Sequence, residues 1–525
     1  MQNVFEFRNS VIREYESYSR SFVTIRAADI AGQIDGEYKE GRYWPDPLIQ
    51  INPGYKRCET VQQLVSQGLL HPKCGEIFKL GKSEGQSKDM QLYQHQLEAI
   101  AKARSGRSYV LTTGTGSGKS MAFFIPIIDK ILRGRQADPK PRTRAIIIYP
   151  MNALANSELE ELKKFLHGFP EGQRPFTVER YTGQENSEER LKLANNPPDI
   201  LLTNFMMLEL ILTRYDEKDC KVIKNCHDLE YIVLDELHTY RGRQGADVAM
   251  LVRRVRQRTS AKNLLCIGTS ATMANTGSSL EQQATVAQVA SKLFGTSITP
   301  DDIITETLER ITNPALIIDS IKAQLPARLK LPHQWENFDE FRNDPLAVWV
   351  ELNMGISLND LNKPARARPI TLQQAADKLA EDTGVDKEEA ITVLQSFLIN
   401  AHSSAGTGVL APFAFKLHQF ISGPGKVHTT LEPEGTRQIT LDAQIFAPGR
   451  QNENVKLFST YFCRACGHEY HPVWFSKDEP FNVTPRQIEE VAADDSEQAY
   501  GFITPAGPEQ AFQGDLLDLP EQWLE

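Results

Sequence analysis

The middle of the chain is predicted to be an α/β domain built on a parallel sheet, and three observations carry that reading. Five short β-branched runs recur between residues 91 and 300: "SYVLTT", "RAIIIYP", "DILLTN", "YIVLDE" and "LLCIGTSAT". Each is almost continuously apolar, as in strands covered on both faces. Amphipathic helical stretches separate them, the alternation expected of a parallel sheet wrapped by helices. The fold class is therefore read as α/β, with helical, winged-helix-like and β-rich modules around one sheet domain.

Taken in order, residues 1–90 form an N-terminal accessory region. It opens with a helical pattern and passes into "YWPDPLIQINPGY", whose Pro and Gly favour an extended path. Residues 91–300 are the sheet domain. Residues 301–365 read as a helical linker. Residues 366–407 contain "TLQQAADKLAEDTGVDKEEAITVLQSFLINA", two helices with Thr371 capping the first and a turn at Gly384. That spacing suits a winged-helix-like module or a helix pair that merely packs. Residues 408–476 turn β-rich, with "FKLHQFIS", "KVHTTLEP" and "RQITLDAQIF" separated by Gly and Pro. Residues 477–525 are an acidic tail of 12 acidic and 2 basic side chains, which accounts for the net charge of −10. The remainder is neutral, so a locally basic groove for nucleic acid is not excluded.

Composition is that of an ordinary globular protein, 40% hydrophobic and 24% charged. No apolar run approaches the roughly 18 residues that span a bilayer, so no membrane partner is expected. Seven widely spaced cysteines fit a reducing compartment, and the N-terminus is charged where a signal peptide needs an apolar centre. A cytoplasmic protein is expected.

Three strand ends carry chemistry. "YVLTTGTGSGKSMAFF" (109–124) places Gly114, Gly116 and Gly118 between a strand and a helix. Small residues there let successive N–H groups face phosphate oxygens, while Lys119 supplies charge and Ser120 a hydroxyl for Mg²⁺. "YIVLDELHTY" ends a buried strand in Asp235 and Glu236, at the strand end where open α/β sheets bind ligands. Asp235 is expected to hold Mg²⁺ through water, and Glu236 to polarise the attacking water. "GTSATM" puts the hydroxyls of Ser270 and Thr272 at the same edge, where they can bond the acidic loop. Two basic clusters, Arg133, Arg135, Lys140, Arg142 and Arg144, then Arg241 and Arg243, are candidate phosphate contacts, with solvated surface the alternative for each.

Phosphate loop, "DELH" and "SAT", in that order, resemble motifs I, II and III of the superfamily 2 DEAD/DEAH-box helicases. "LYQHQLEAI" (92–100) resembles the Q motif, "YPMNALANSELEEL" (149–162) motif Ia, "RYTG" (180–183) motif Ib and "LLTNFMML" (201–208) motif Ic. The resemblance implies that residues 91–300 are a RecA-like ATPase domain using ATP and Mg²⁺. It implies that Tyr93 stacks on adenine and Gln96 bonds the base edge. Thr115, Gly116, Ser117 and Gly118 would cradle phosphate with Lys119 and Ser120, and His238 would couple the site to a second lobe. Asn152, Thr182, Gly183, Thr203 and Asn204 would touch a nucleic-acid backbone, positioning a strand without reading it.

"LIQINPGY", "LLHP", "DELHTYRGRQGADVAMLVRRVR", "SKLFG" and "CRACGHEY" are similar to the MrfA/YprA-like branch. "FKLHQFISGPGKVHTTLEPE" looks most like the large helicase component of the Druantia anti-phage system. The implied function is an ATP-dependent DNA helicase or translocase in anti-phage defence, with DNA and other defence-system subunits as partners. A repair helicase, an ATP-switched nucleic-acid scaffold and an RNA substrate stay open.

A superfamily 2 motor uses two such lobes, and the second one's Q-x-x-G-R-x-G-R run is missing from residues 280–525. The chain is expected to be the N-terminal part of a motor. Cys463 and Cys466 have zinc-knuckle spacing, but a structural site wants four ligands and only His428, His468 and His471 stand near in sequence. Zinc and a metal-free hairpin are both open.

Overall fold

The computed structural model describes residues 3–82, 85, 87–114, 116–271, 277–403, 413–423, 425–476, 482–491 and 498–505. Thr115, Thr272 and most of the acidic tail lie outside the described residues. The chain divides into two compact units, one of residues 53–314 and 356–366, the other of residues 1–52, 315–355 and 367–525.

The first unit is the sheet domain. Its strands are β1 (Tyr109–Thr112), β2 (Ala145–Tyr149), β3 (Val178–Tyr181), β4 (Ile200–Asn204), β5 (Tyr231–Leu234), β6 (Leu265–Ser270) and β7 (Ile303–Thr305). They lie in the order β7-β1-β6-β5-β2-β4-β3, each neighbouring pair parallel. Alternate residues serve opposite cores: Ile147 and Val233 pack on one face, Ile146, Ile148 and Ile232 on the other. Two-sided burial is why these strands read as unbroken apolar runs.

Helices cover both faces. α1 (Gln94–Arg104), α2 (Lys119–Ala137) and α3 (Asn152–Phe165) pack on the first core. The second is covered by α4 (Ser187–Asn195), α5 (Phe205–Thr213), α6 (Glu217–Asn225), α7 (Gly242–Arg258) and α8 (Ser279–Phe294).

Two expected boundaries need correction. The unit begins at residue 53, not 91, because Gly54–Tyr55 pairs with Leu308–Glu309 and Arg57–Thr60 with Gln91–Tyr93. Residues 301–365 are not a purely helical linker. They supply edge strand β7 and a hairpin, β8 (Ile356–Leu358) with β9 (Pro364–Arg366). Strands of three residues are too short to show a period.

In the second unit, Leu48–Ile51 pairs antiparallel with Ile370–Thr371 and Phe415–His418. α9 (Leu372–Thr383) begins with a capping box at Thr371, ends at Gly384 with φ of +73°, and packs against α10 (Lys387–Ser403). Further on, Glu469–Ser476 pairs with Phe458–Phe462, Val483–Pro485 and Gln498–Ile503. A boundary at residue 477 therefore cuts a sheet, and the described part of the acidic stretch contributes two strands to it. Arg437, almost wholly buried, joins Glu469 of this sheet to Asp29, and the ion pair draws the Asp29 carboxyl down to about 2.

Cys463 and Cys466 sit in the turn of the Phe458–Ser476 hairpin, closed by Gly467 N–H donating to the Cys463 carbonyl at 2.8 Å. His468 contacts the Pro505 carbonyl, while His471 is 2% exposed inside the sheet. Among the described residues no group of three or more His, Cys, Asp or Glu converges to hold a metal. The zinc expectation thus gains no third ligand among the described residues.

Burial, and then the Arg437 charge, lower His471 to about 4 from its ordinary 6.5. The folded state holds this ring neutral while the unfolded chain protonates it near 6.5. Its contribution is therefore intact above that pH and is lost as pH falls toward 4. The slope amounts to roughly 3 kcal/mol in all. Urea melts at pH 7 and 4.5 are expected to show the loss, and His471→Leu to flatten it.

Candidate nucleotide site and nucleic-acid face

The parallel sheet brings the C-terminal ends of β1, β5 and β6 to one rim, since these strands are neighbours and run the same way. The loop after β1 leads into α2. Gly116 and Gly118 have φ of +81° and +67°, so successive N–H groups turn to one side. At Gly118 a second constraint applies: a Cβ would stand 2.7 Å from the Gln96 amide nitrogen. Gly118→Ala is expected to cost about 1–2 kcal/mol from the left-handed backbone alone, read in a urea melt, and to weaken nucleotide binding by displacing the loop.

Lys119 Nζ lies 3.2 Å from Glu236 Oε1. Glu236 itself sits at φ of +52°, a strained backbone for a residue with a side chain. Its N–H donates to Thr269 Oγ1 at 3.1 Å, and the Thr269 hydroxyl donates in turn to Asp235. Burial pushes the Asp235 carboxyl up, and the Thr269 bond and Lys119 counter it. His238 Nδ1 is 3.2 Å from Glu236 Oε2 and 3.3 Å from Ser270 Oγ. The three motifs thus meet through a Ser270–His238–Glu236–Lys119 chain of contacts.

Ser120 is at the same rim, but its hydroxyl donates to Glu158 Oε1 at 2.7 Å. Glu158, on α3, went unnoticed in the sequence. Its one signal is a carboxylate beside the buried stripe Ala155, Leu159 and Leu162. Burial raises its pKa, the Ser120 bond lowers it and Asp235 raises it.

Gln96 is buried, with its amide spent on the Gly118 carbonyl at 2.8 Å and the Tyr93 N–H at 2.9 Å. It braces the phosphate loop against α1. Tyr93 lies 5.3 Å from Tyr55 and stacks 5.7 Å from His95. Ser117 is fully buried, with its hydroxyl on Thr113 at 2.7 Å. Sequence reading also passed over Tyr55, Glu306 and Arg366. Arg366, at the end of β9, grips Glu306 with two N–H groups at 2.7 and 3.0 Å and bonds the Tyr55 hydroxyl. Glu306 accepts the Gly114 N–H at 3.1 Å. Residues this far apart in the chain leave no local signal.

On the candidate nucleic-acid face, Asn204 Nδ2 donates to Asn152 Oδ1 at 2.6 Å and to the Thr182 carbonyl at 3.0 Å. The structure therefore gathers Asn152, Thr182, Gly183 and Asn204. Thr203 is a correction: fully buried, its hydroxyl donates to the Tyr181 carbonyl at 2.7 Å and is unavailable to a strand. The Thr182 hydroxyl is likewise committed, to Glu185, which also accepts the Thr182 and Gly183 N–H groups. Arg241 and Arg243 are exposed.

The earlier basic cluster does not belong to this face. Arg144 precedes β2 and so lies at the opposite end of the sheet from Asp235. It is 1% exposed and paired with Asp199; Arg133, Arg135 and Arg142 pair with Asp129, Asp199 and Glu230.

Fold and rim together define a phosphate-loop nucleotide-binding domain with the RecA-like arrangement. Residues 93–279 match the DEAD/DEAH box helicase family, and this stretch is a DEAD/DEAH helicase domain. Over 187 residues it is 33% identical to the ATP-dependent helicase YprA of Bacillus subtilis, covering 35% of this chain and 23% of that protein. The ATP-dependent helicase HRQ1 of Saccharomyces cerevisiae is 28% identical over 202 residues, 38% of this chain and 17% of that one. Druantia protein DruE of Escherichia coli is 27% identical over 325 residues, 41% of this chain and 18% of that one. The matched part thus spans about a fifth of each relative's own length. No helix among the described residues is long and apolar enough to cross a membrane.

Proposed function

We propose that this chain carries the nucleotide-hydrolysing lobe of a superfamily 2 ATP-dependent helicase or translocase acting on DNA. The observation that supports it most is the convergence of Lys119, Ser120, Asp235 and Glu236 on one strand-end rim, joined to motif III through His238 and Ser270. The donor set suits ATP with Mg²⁺. Turned N–H groups and Lys119 match phosphate oxygens, Ser120 and Asp235 match a hard cation, and Glu236 presents a carboxylate held between Lys119 and His238. Lys119 neutralises phosphate, and Glu236, released from Lys119 when phosphate takes its place, accepts a proton from water. His238 links that carboxylate to the Ser270 strand end. Bound ATP–Mg²⁺ supplies the phosphoryl group to be transferred and the charge that activates it.

Asn152, Gly183, Asn204, Arg241 and Arg243 form the proposed contact with a nucleic-acid backbone. The defence reading rests on the similarity to Druantia protein DruE, with repair the alternative. Fluorescence anisotropy with a labelled DNA strand tests the partner. Arg241→Ala and Arg243→Ala are each expected to reduce the salt slope of binding by about 1. Unchanged slopes in both, or binding only to the RNA strand of the same sequence, would overturn this part. A phage-challenge assay set against a DNA-damage survival assay separates defence from repair.

A further inference from the structure

The rim holds a carboxylate on α3 that the proposed chemistry does not use. Glu158 reaches in from α3 and accepts the Ser120 hydroxyl at 2.7 Å, so it stands against one of the two residues proposed to hold the cation. Asp235, the other, is close enough for the two charges to act on one another. A second observation points into the same space. Tyr149, the last residue of β2, is 1% exposed, and its hydroxyl has no hydrogen-bond partner among the described residues. That phenol lies within electrostatic reach of both Glu158 and Asp235. A buried phenol normally finds a partner. Here the fold leaves one within electrostatic reach of two carboxylates, one of which accepts the Ser120 hydroxyl, groups that suit a hydrated hard cation, which keeps several of its waters.

We propose that Glu158 is a positioning residue of the divalent-cation site: it orients the Ser120 hydroxyl and, with the Tyr149 hydroxyl, holds water bound to the cation. The inference rests on the nucleotide-site reading above and adds two residues to it. Glu158 acts through Ser120 and through water, so its removal loosens the cation and spares the phosphate contacts made by Lys119 and the loop. Such outer partners typically set metal affinity by about 10–100-fold.

The test uses the full chain, a fluorescent ADP and Mn²⁺ as the cation probe, followed by electron paramagnetic resonance. Glu158→Gln keeps size and an acceptor for Ser120 while removing the charge. It is expected to bind ADP in EDTA as the parent does, and to bind Mn²⁺ with ADP about tenfold more weakly. Tyr149→Phe, which leaves the packing in place, is expected to shift Mn²⁺ affinity in the same direction by a smaller factor. Mn²⁺ affinity within twofold of the parent in Glu158→Gln overturns the proposal. Equal losses of ADP affinity with and without the cation overturn it too, since they signal a merely structural role. Failure of the parent chain to bind ADP at all removes the nucleotide-site reading, and this one with it.

Discussion

Glu236→Gln is expected to leave ATP bound while slowing its hydrolysis by a factor of about 10²–10⁴, the usual contribution of a positioned base. Glutamine fills the same space at the strained turn and keeps the N–H bond to Thr269, because that bond uses the backbone. It cannot take a proton from water, and it cannot ion-pair with Lys119. Lys119→Ala should fail earlier, at binding, because the charge facing the phosphates is gone. The pair separates the roles: fluorescent nucleotide titration reads the first step and single-turnover phosphate release the second, however slow the parent. Undiminished hydrolysis in both variants would remove the enzymatic reading.

The largest effect on stability is expected far from this rim, at Asp199→Ala. Asp199 is 2% exposed and accepts from Arg144, Arg135, the Thr177 N–H and the Thr177 hydroxyl. Arg144, 1% exposed, would be left as a buried charge without its main partner. Breaking one side of such a pair typically costs about 3–5 kcal/mol. Urea denaturation should show that loss. Asp199→Asn, which keeps acceptors for the Thr177 groups, is expected to lose less. A loss below about 1 kcal/mol in Asp199→Ala would mean that solvent reaches Arg144 and that the hub is not closed.

The same residues show why sequence reading succeeded at one end of the sheet and failed at the other. Arg144 and its neighbours looked like phosphate contacts, because a run of arginines carries no mark of which carboxylates it will meet. The sheet's direction puts Arg144 away from Asp235, and partners distant in the chain, Asp199 and Glu230, take up Arg135, Arg142 and Arg144. Lys119, Asp235 and Glu236 were legible because each requirement is local: a glycine turn after a strand, a carboxylate at a strand end. Ser270 followed from the same strand-end rule, whereas His238 is implied only by the family resemblance. The edge strand at Ile303–Thr305 escaped because three residues show no period.

Gln96 and Ser117 lie between these cases. Ser117 is expected to cradle phosphate and Gln96 to bond the base edge, but in the structure burial turns both side chains to bracing the loop, a matter of which atoms already have partners. Thr203 shows the same thing on the nucleic-acid face.

By itself the order of residues determined the layered α/β architecture, the strand ends that bear chemistry and the residues proposed to face a triphosphate. Periodicity and turn chemistry act over a few positions, and they survive whatever surrounds them. Only the tertiary structure decided that Glu158 stands against Ser120 with Tyr149 in electrostatic reach of it, that Arg366 and Glu306 clasp Gly114, and that Arg144 before β2 is an interior tie to Asp199. Those outcomes depend on contacts between distant segments, where burial leaves each polar atom to find whichever partner the fold delivers.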